Sequence, residues 1–254
     1  MSSTETAGVN SSRNVVLIPA RLRSSRLPDK PLALIKGEPM IVHVWRRAIE
    51  AGIGPVVVAC AEPAIAEAIT AVGGRAVLTD PELPSGTDRI YAALLEIDPD
   101  SAFDRVINLQ GDMPTLDPRC LHDVLAPFAL PNIDIATLAD ATDDEAEKND
   151  PNTVKAIISF RTAEIGEALY FTRANSPWGE GPVYHHIGLY AFTRPALDRF
   201  AALPPSPLER REKLEQLRAL ENGMRIGVKL VQAVPFGVDT PADLMKARKI
   251  LGDG

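Results

Sequence analysis

VVLIPARLRSSRLPDKPL, residues 15 to 32, passes from a short apolar stretch rich in β-branched residues into a loop carrying four basic side chains. Residues 15 to 18 read as a strand, and Pro19, which cannot donate to a sheet ladder, is expected to end it. Arg21, Arg23, Arg26 and Lys30 follow, with Ser24, Ser25 and two further prolines that keep the segment from becoming helix. A strand leading into such a loop reads as the carboxyl edge of an open α/β sheet, where ligands bind. Four mutually repelling cations in one loop make sense around a bound polyanion. A solvated basic surface costs little and needs no ligand, so composition leaves both readings open.

Outward from this loop, strand and helix patterns alternate. Strands are expected at 15 to 18, 55 to 60, 75 to 78 and 104 to 109, with helices at about 40 to 51, 63 to 72, 87 to 97 and 117 to 129. That rhythm predicts an α/β fold with a mostly parallel, doubly wound sheet. From Ile133 the pattern changes: strands near 133 to 138, 153 to 160 and 185 to 193 are separated by longer polar stretches, before two more helices and a final strand near 227 to 234. This half suggests a smaller lobe, about 133 to 200, laid over the sheet. Ser206 with Pro207 and Glu209, and Thr240 with Pro241 and Asp243, carry the N-cap, N1 proline and N3 carboxylate of helix starts. Gly223 is a plausible stop for the first of these helices.

The chain has 254 residues, 45% of them hydrophobic, which suffices for one sizeable core. A polar tail over residues 1 to 13, expected to be disordered, precedes a single domain over 14 to 252. The net charge of −7 argues against nucleic acid or an anionic membrane as partner, so the basic loop is local chemistry in an acidic protein. No apolar run approaches the roughly 20 residues of a membrane span. A cytoplasmic protein is expected. Cys60 and Cys120 lack metal-ligand spacing and read as inert thiols.

Asp112 lies just past the apolar stretch 106 to 109, with Gly111 allowing close backbone approach, and Asp239 follows the last strand immediately before a helix cap. Two carboxylates converging beside a basic loop can hold Mg²⁺, which takes one or two carboxylates plus substrate phosphates. Each aspartate could equally close a turn.

The spacing R-x-x-S-x-R-L-P-x-K-P-L in this loop resembles the signature of the 3-deoxy-manno-octulosonate (Kdo) cytidylyltransferases, which make CMP-Kdo. PSGTDR at 84 to 89, INLQGDMP at 107 to 114, DPNTVK at 150 to 155, ALYFTRANSPW at 168 to 178, HIGLYAF at 186 to 192, SPLERREKLEQLRALENG at 206 to 223 and VDTPADL at 238 to 244 continue the likeness in order. The resemblance implies a nucleotide-diphospho-sugar-transferase-like sheet, transfer of CMP from CTP to the sugar's anomeric 2-hydroxyl for lipopolysaccharide biosynthesis, Mg²⁺ on Asp112 and Asp239, and a homodimer through the second-half strands. It assigns catalysis to Arg21, Lys30, Asp112 and Asp239, and CTP binding to Ala20, Arg21, Arg26, Lys30, Ser85, Gly86 and Arg89. Ser85 to Thr87 can also be a helix entry with Thr87 as N-cap.

For the acidic sugar the resemblance implies Gln110, Arg173, His186, Tyr190, Glu215 and Gln216. Taken alone, His186 and Tyr190 could be half-buried sheet residues on one face. Glu215 and Gln216 could be exposed mid-helix residues, with Arg211 or Arg218 pairing with Glu215. Asp29 stands where the family often has glycine, Met113 where an acidic residue is common, and the short GEGPVYH between Trp178 and His186 lacks the family's arginines, with His185 where one is frequent. Alternative readings are a cytidylyltransferase for 8-amino-Kdo or sialic acid, an inactive nucleotide-binding protein, and a glycosyltransferase of similar architecture. The last would ordinarily carry Asp-x-Asp where this strand ends in Gln-Gly-Asp-Met.

Overall fold

The structure is a computed structural model that describes residues 13–24, 26–232 and 236–252. The expected tail, but for Arg13, and the end of the expected last strand at 233 and 234 lie outside the described residues.

The first half alternates strand and helix: β1 Asn14–Ala20, the short hairpin β2 Leu34–Ile35 and β3 Glu38–Pro39, α1 Met40–Ala51, β4 Val56–Cys60, α2 Pro63–Thr70, β5 Arg75–Leu78, α3 Gly86–Ile97, β6 Arg105–Asn108 and α4 Arg119–Asp123. The second half comprises β7 Ile135–Thr142, α5 Glu145–Asn149, β8 Lys155–Phe160, β9 Ile165–Thr172, β10 Val183–Thr193, α6 Arg194–Ala201, α7 Pro207–Glu212, α8 Leu217–Glu221, β11 Ile226–Leu230 and α9 Pro241–Leu251.

β1 is apolar on both sides because both sides are covered. Val16 and Ile18 enter one cluster with α1, α2 and α4, while Val15 and Leu17 enter another with α3 and α6. The strand does not stop at Pro19, as its sequence suggests; it continues to Ala20, with Pro19 opposite Ala59 of β4. Leu17 turns its carbonyl toward β6, accepting from Leu109 N–H, and Pro19, two residues on, faces the same side after the β6 ladder has ended. The missing N–H of proline is therefore not needed there.

Among the described residues, nine strands form one sheet in the order β5-β4-β1-β6-β10-β7-β11-β9-β8. β5, β4, β1 and β6 are parallel, as the alternation predicts. Beyond β6 the sheet is mixed: β10 runs antiparallel to β6 and β7, β11 is parallel to β7, and β9 is antiparallel to β11 and β8. The second-half strands thus extend the sheet instead of lying over it. At the far end His185 of β10 pairs with Lys155 of β8, closing β10, β7, β11, β9 and β8 into a ring.

β9 occupies a stretch whose sequence reads as a connection, because Gly166 and Glu167 interrupt its apolar pattern. Gly166 has a steric cause: a Cβ there would lie 2.6 Å from Ile158 Cγ2 and 2.7 Å from Ser159 O on β8. The helix expected over 117 to 129 ends at Asp123, and a 3-10 turn, Ala126–Ala129, follows with Pro127 in its first turn. The helix expected from Ser206 breaks at Lys213, whose φ is 56°. Both capping boxes form, and Gly223, at φ 70°, follows the end of α8.

A third apolar cluster, Ile35, Met40, Val238, Leu244 and Ala247, docks α9 against the β2–β3 hairpin and the start of α1. This brings a late part of the chain beside the loop that follows β1.

Asp98, at the end of α3, accepts the N–H groups of Ala102 and Phe103 at 2.6 and 3.1 Å and the Arg194 guanidinium at 2.6 Å. Only 3% of its side chain and 9% of that of Arg194 are exposed. Asp98→Ala strands a buried cation and two amides, so it should cost about 3–5 kcal/mol, read from urea denaturation.

Candidate active site

The loop after β1 turns into a 3-10 helix, Lys30–Leu32, through Asp29, whose φ of 52° is left-handed. Glycine reaches that region freely and aspartate at modest cost, which reconciles the two residue types at this position. Asp29 is exposed and does not line the cleft, so its charge stays off the basic surface.

Lys30 points inward. Its Nζ donates to Asp112 Oδ2 at 2.8 Å and to Asp239 Oδ1 at 2.9 Å, and Arg26 donates to Asp239 Oδ2 at 3.1 Å. Burial alone would favour the neutral amine, but the charges and hydrogen bonds of Asp112 and Asp239 outweigh it and hold the Lys30 pKa above its ordinary value. The site therefore carries an ammonium at any physiological pH.

Asp112 reaches this point because Gly111 passes under β1: a Cβ on Gly111 would lie 2.7 Å from Pro19 O and 3.2 Å from Ile41 Cδ1. Val238 N–H donates to Asp112 O at 2.8 Å, tying the segment before α9 to the end of β6. Asp239 is fixed by the cap of α9, where Asp243 accepts from Asp239 and Thr240 N–H and Thr240 Oγ1 accepts from Asp243 N–H.

Around these groups is a cleft of about 360 Å³. Ala20, Arg21, Arg26, Lys30, Ser85, Gly86, Arg89, Gln110, Asp112 and Asp239 all line it, as do Arg23 and Ser24, which the sequence marks as part of the basic loop without a site role. Ser85, not Thr87, is the N-cap of α3, its Oγ accepting from Asp88 N–H at 3.1 Å. Arg89 is buried, and its guanidinium donates to Thr79 Oγ1 at 2.6 Å, Asp80 O at 3.1 Å and Pro81 O at 3.4 Å. Burial and then the nearby Arg21 charge lower its pKa. Arg89 thus supports the cleft wall through the 79–81 turn as well as adding charge.

The expected sugar residues divide. Gln110 lines the main cleft, while Tyr190, Glu215 and Gln216 meet Thr87 around a small void of about 10 Å³. Glu215 and Gln216 are not mid-helix; they occupy the break between α7 and α8, which turns them inward. Glu215 Oε2 accepts from Thr87 Oγ1 at 2.7 Å. Among the described residues, Glu215 Oε1 and Gln216 Nε2 are buried without a hydrogen-bond partner, as are Asn14 Oδ1 and Trp45 Nε1 away from the clefts. Arg218 lies 4.0 Å from Glu215 Oε1 but donates to Glu209, at 2.9 and 2.6 Å, and to Leu203 O, at 3.1 Å. Burial raises the Glu215 pKa against the opposing hydrogen bond of Thr87.

A second cleft, about 600 Å³, opens beside Glu215 between Ser85, Asp88, Arg210 and Lys213. His186 and Tyr190 share a face, with rings 5.4 Å apart, and Phe171 packs edge-on to His186 at 4.9 Å. Burial and then His185 push the His186 pKa down to about 3, so the imidazole is neutral. Burial and then Glu215 push the Tyr190 phenol up. Arg173 is not brought to either cleft: it donates to Glu212 O and Pro151 O, both at 2.8 Å.

Met113 is buried in the apolar cluster on the α1 side, so the missing carboxylate has no solvated place there. Both cysteines are buried, and burial pushes their thiols up to about 11. Among the described residues no group of three or more His, Cys, Asp or Glu side chains could hold a metal. Asp112 and Asp239 nonetheless converge on one cation, a donor set that suits Mg²⁺ when phosphates complete its shell.

The cytidylyltransferase family model matches residues 15–226. Among curated proteins, the chain is 61% identical to the 3-deoxy-manno-octulosonate cytidylyltransferase of Rhodospirillum centenum, over 93% of each chain. It is 56% identical to that of Paramagnetospirillum magneticum, over 93% of this chain and 97% of the other. Among solved structures, it is similar to CMP:2-keto-3-deoxy-manno-octonic acid synthetase complexed with CTP. That match has a TM-score of 0.86 and 40% identity, covering 95% of this chain and 99% of the other. No helix among the described residues is long and apolar enough to cross a membrane.

Gly111→Ala should force β1 and the Asp112 segment apart, lowering stability by about 1–3 kcal/mol in chemical denaturation. A variant as stable as the parent would contradict the close approach.

Proposed function

The chain belongs to the 3-deoxy-manno-octulosonate cytidylyltransferases, and on that premise we propose that it transfers CMP from CTP to the anomeric 2-hydroxyl of Kdo, releasing pyrophosphate. The observation that carries this reading is the meeting of Lys30, Asp112 and Asp239 inside a cleft rimmed by Arg21, Arg23 and Arg26.

The arginines draw in and grip the triphosphate, and Ser85 and Gly86, at the start of α3, border the nucleotide. The sugar hydroxyl oxygen attacks the α-phosphorus in line, a new O–P bond forms, the bond from the α-phosphorus to the bridging oxygen breaks, and the hydroxyl proton is released. Lys30 and Arg21 stabilise the charge that accumulates on departing pyrophosphate. Mg²⁺ held by Asp112 and Asp239 would supply neutralisation of the phosphoryl oxygens and a lower pKa for the attacking hydroxyl. Gln110, His186, Tyr190, Glu215 and Gln216 hold the sugar; the orphaned polar atoms of Glu215 and Gln216 support that role.

Because Arg173 is tied to two main-chain carbonyls, we assign it to holding the turn at Glu212. The reaction consumes CTP, and we place the enzyme in the cytoplasm. We also propose a homodimer, for which the exposed Leu169 on β9 and Trp178 offer apolar surface.

Purified protein with CTP, Mg²⁺ and Kdo should release pyrophosphate. Release only with 8-amino-Kdo or sialic acid would reassign the sugar, and release with none would overturn the reading. Asp112→Asn and Asp239→Asn should each lower turnover on the order of a hundredfold or more with the fold intact by circular dichroism. A fully active Asp239→Asn enzyme would refute the two-carboxylate site. Lys30→Ala should cost on the order of 2 kcal/mol in kcat/KM.

A further inference from the structure

The polar side chains between the two clefts have one consistent hydrogen-bond direction. Thr87, in the first turn of α3, donates its hydroxyl proton to Glu215 Oε2 at 2.7 Å. A hydroxyl has one proton, so toward its other neighbour Thr87 can only accept. That neighbour is Asn108 Nδ2, at 3.5 Å the longest link of the series. Asn108 must then turn its Oδ1 to Gln110, which donates from Nε2 at 3.1 Å. The remaining polar atom of Gln110, Oε1, is left for the cleft that Gln110 lines, where a Cβ on Gly86 would lie 3.8 Å from it.

Thr87 is 4% exposed and Asn108 1%, so bulk water does not arbitrate between orientations. Flipping Asn108 would set its Oδ1 against the accepting Thr87 oxygen and its Nδ2 against Gln110 Nε2, and flipping Gln110 alone would put its Oε1 against Asn108 Oδ1. The acceptor-only carboxylate of Glu215 sets the polarity of all three.

We propose that Thr87 and Asn108 are positioning residues that lock the Gln110 amide with Oε1 facing the reacting sugar. The cleft then offers an acceptor at that point and selects a hydroxyl donor on the substrate. Neither residue lines the nucleotide cleft; both act through Gln110, and the same series joins Glu215 on the sugar side to the metal-binding strand end. The nature of the sugar rests on the cytidylyltransferase reading; the amide orientation does not.

The test uses Thr87→Val, which keeps the shape and removes the hydroxyl, with Thr87→Ser, Gln110→Ala and the Thr87→Val/Gln110→Ala double variant. The side-chain amide resonances of Gln110, identified in ¹⁵N NMR spectra by their loss in Gln110→Ala, should move in Thr87→Val and stay in place in Thr87→Ser. Thr87→Val should raise the sugar KM about tenfold and leave the CTP KM within about twofold, and Thr87→Ser should restore the parent value. The double variant should match Gln110→Ala alone, since residues acting in series are not additive. Unmoved Gln110 resonances in Thr87→Val, or additive effects on KM, would overturn the proposal. If the parent protein releases no pyrophosphate with any acidic sugar, the enzymatic reading fails, and the Gln110 resonances still decide the amide orientation.

Discussion

One ammonium holds three distant parts of the chain together. Lys30 binds carboxylates 82 and 209 residues away, at 2.8 and 2.9 Å. Without it two negative charges would face each other in a partly desolvated cleft, which like charges resist strongly. Its position depends on the left-handed turn at Asp29, that of Asp112 on the missing Cβ of Gly111, and that of Asp239 on the cap of α9. Each local device would have little purpose alone. Together they set a cation-binding pair at the carboxyl edge of the sheet, where the loop arginines can present a polyphosphate to it.

The two-sided sheet supplies the rigidity this arrangement needs. β1 and β6 are clamped between apolar clusters, so the groups projecting from their ends inherit the precision of a packed core. The side around Tyr190 and Glu215 is built differently. There the chain uses a helix break at Lys213 and a row of buried polar side chains, and among the described residues Glu215 Oε1 and Gln216 Nε2 find no partner. On the proposed assignment, the nucleotide meets charge on a rigid edge, and the polyhydroxylated acid meets neutral and acidic groups whose orientation is fixed one by one.

The first half of the fold was legible because parallel strands covered on both faces read as unbroken apolar runs, as in 15 to 18 and 56 to 60. The second half was not, since its ladders mix directions and β9 carries glycine and glutamate at positions set by β8 and by Arg225, which pairs with Glu167. Lys30, Asp112 and Asp239 were visible as motif residues, yet nothing in their spacing reveals that they touch. Arg173 looked like a carboxylate binder because an arginine carries the same charge wherever it points; only the carbonyls of Glu212 and Pro151 show what it holds. Thr87 and Asn108 gave no signal beyond helix entry and strand end, because a hydrogen-bond direction is a property of three-dimensional neighbours.

The ring formed by β10, β7, β11, β9 and β8 has a temporal meaning. In the first half β4 joins β1 and β5 over short stretches of chain, and these pairings can form early. β11, by contrast, must insert between β7 and β9, and Gly227 pairs with both Ala136 and Glu167, far upstream. Loop closure of that length slows assembly. A newly made chain should therefore assemble β1, β4 and β5 first; because Asp239 and α9 follow β11 in the chain, the carboxylate pair and the enclosure around Tyr190 are completed together, at the end.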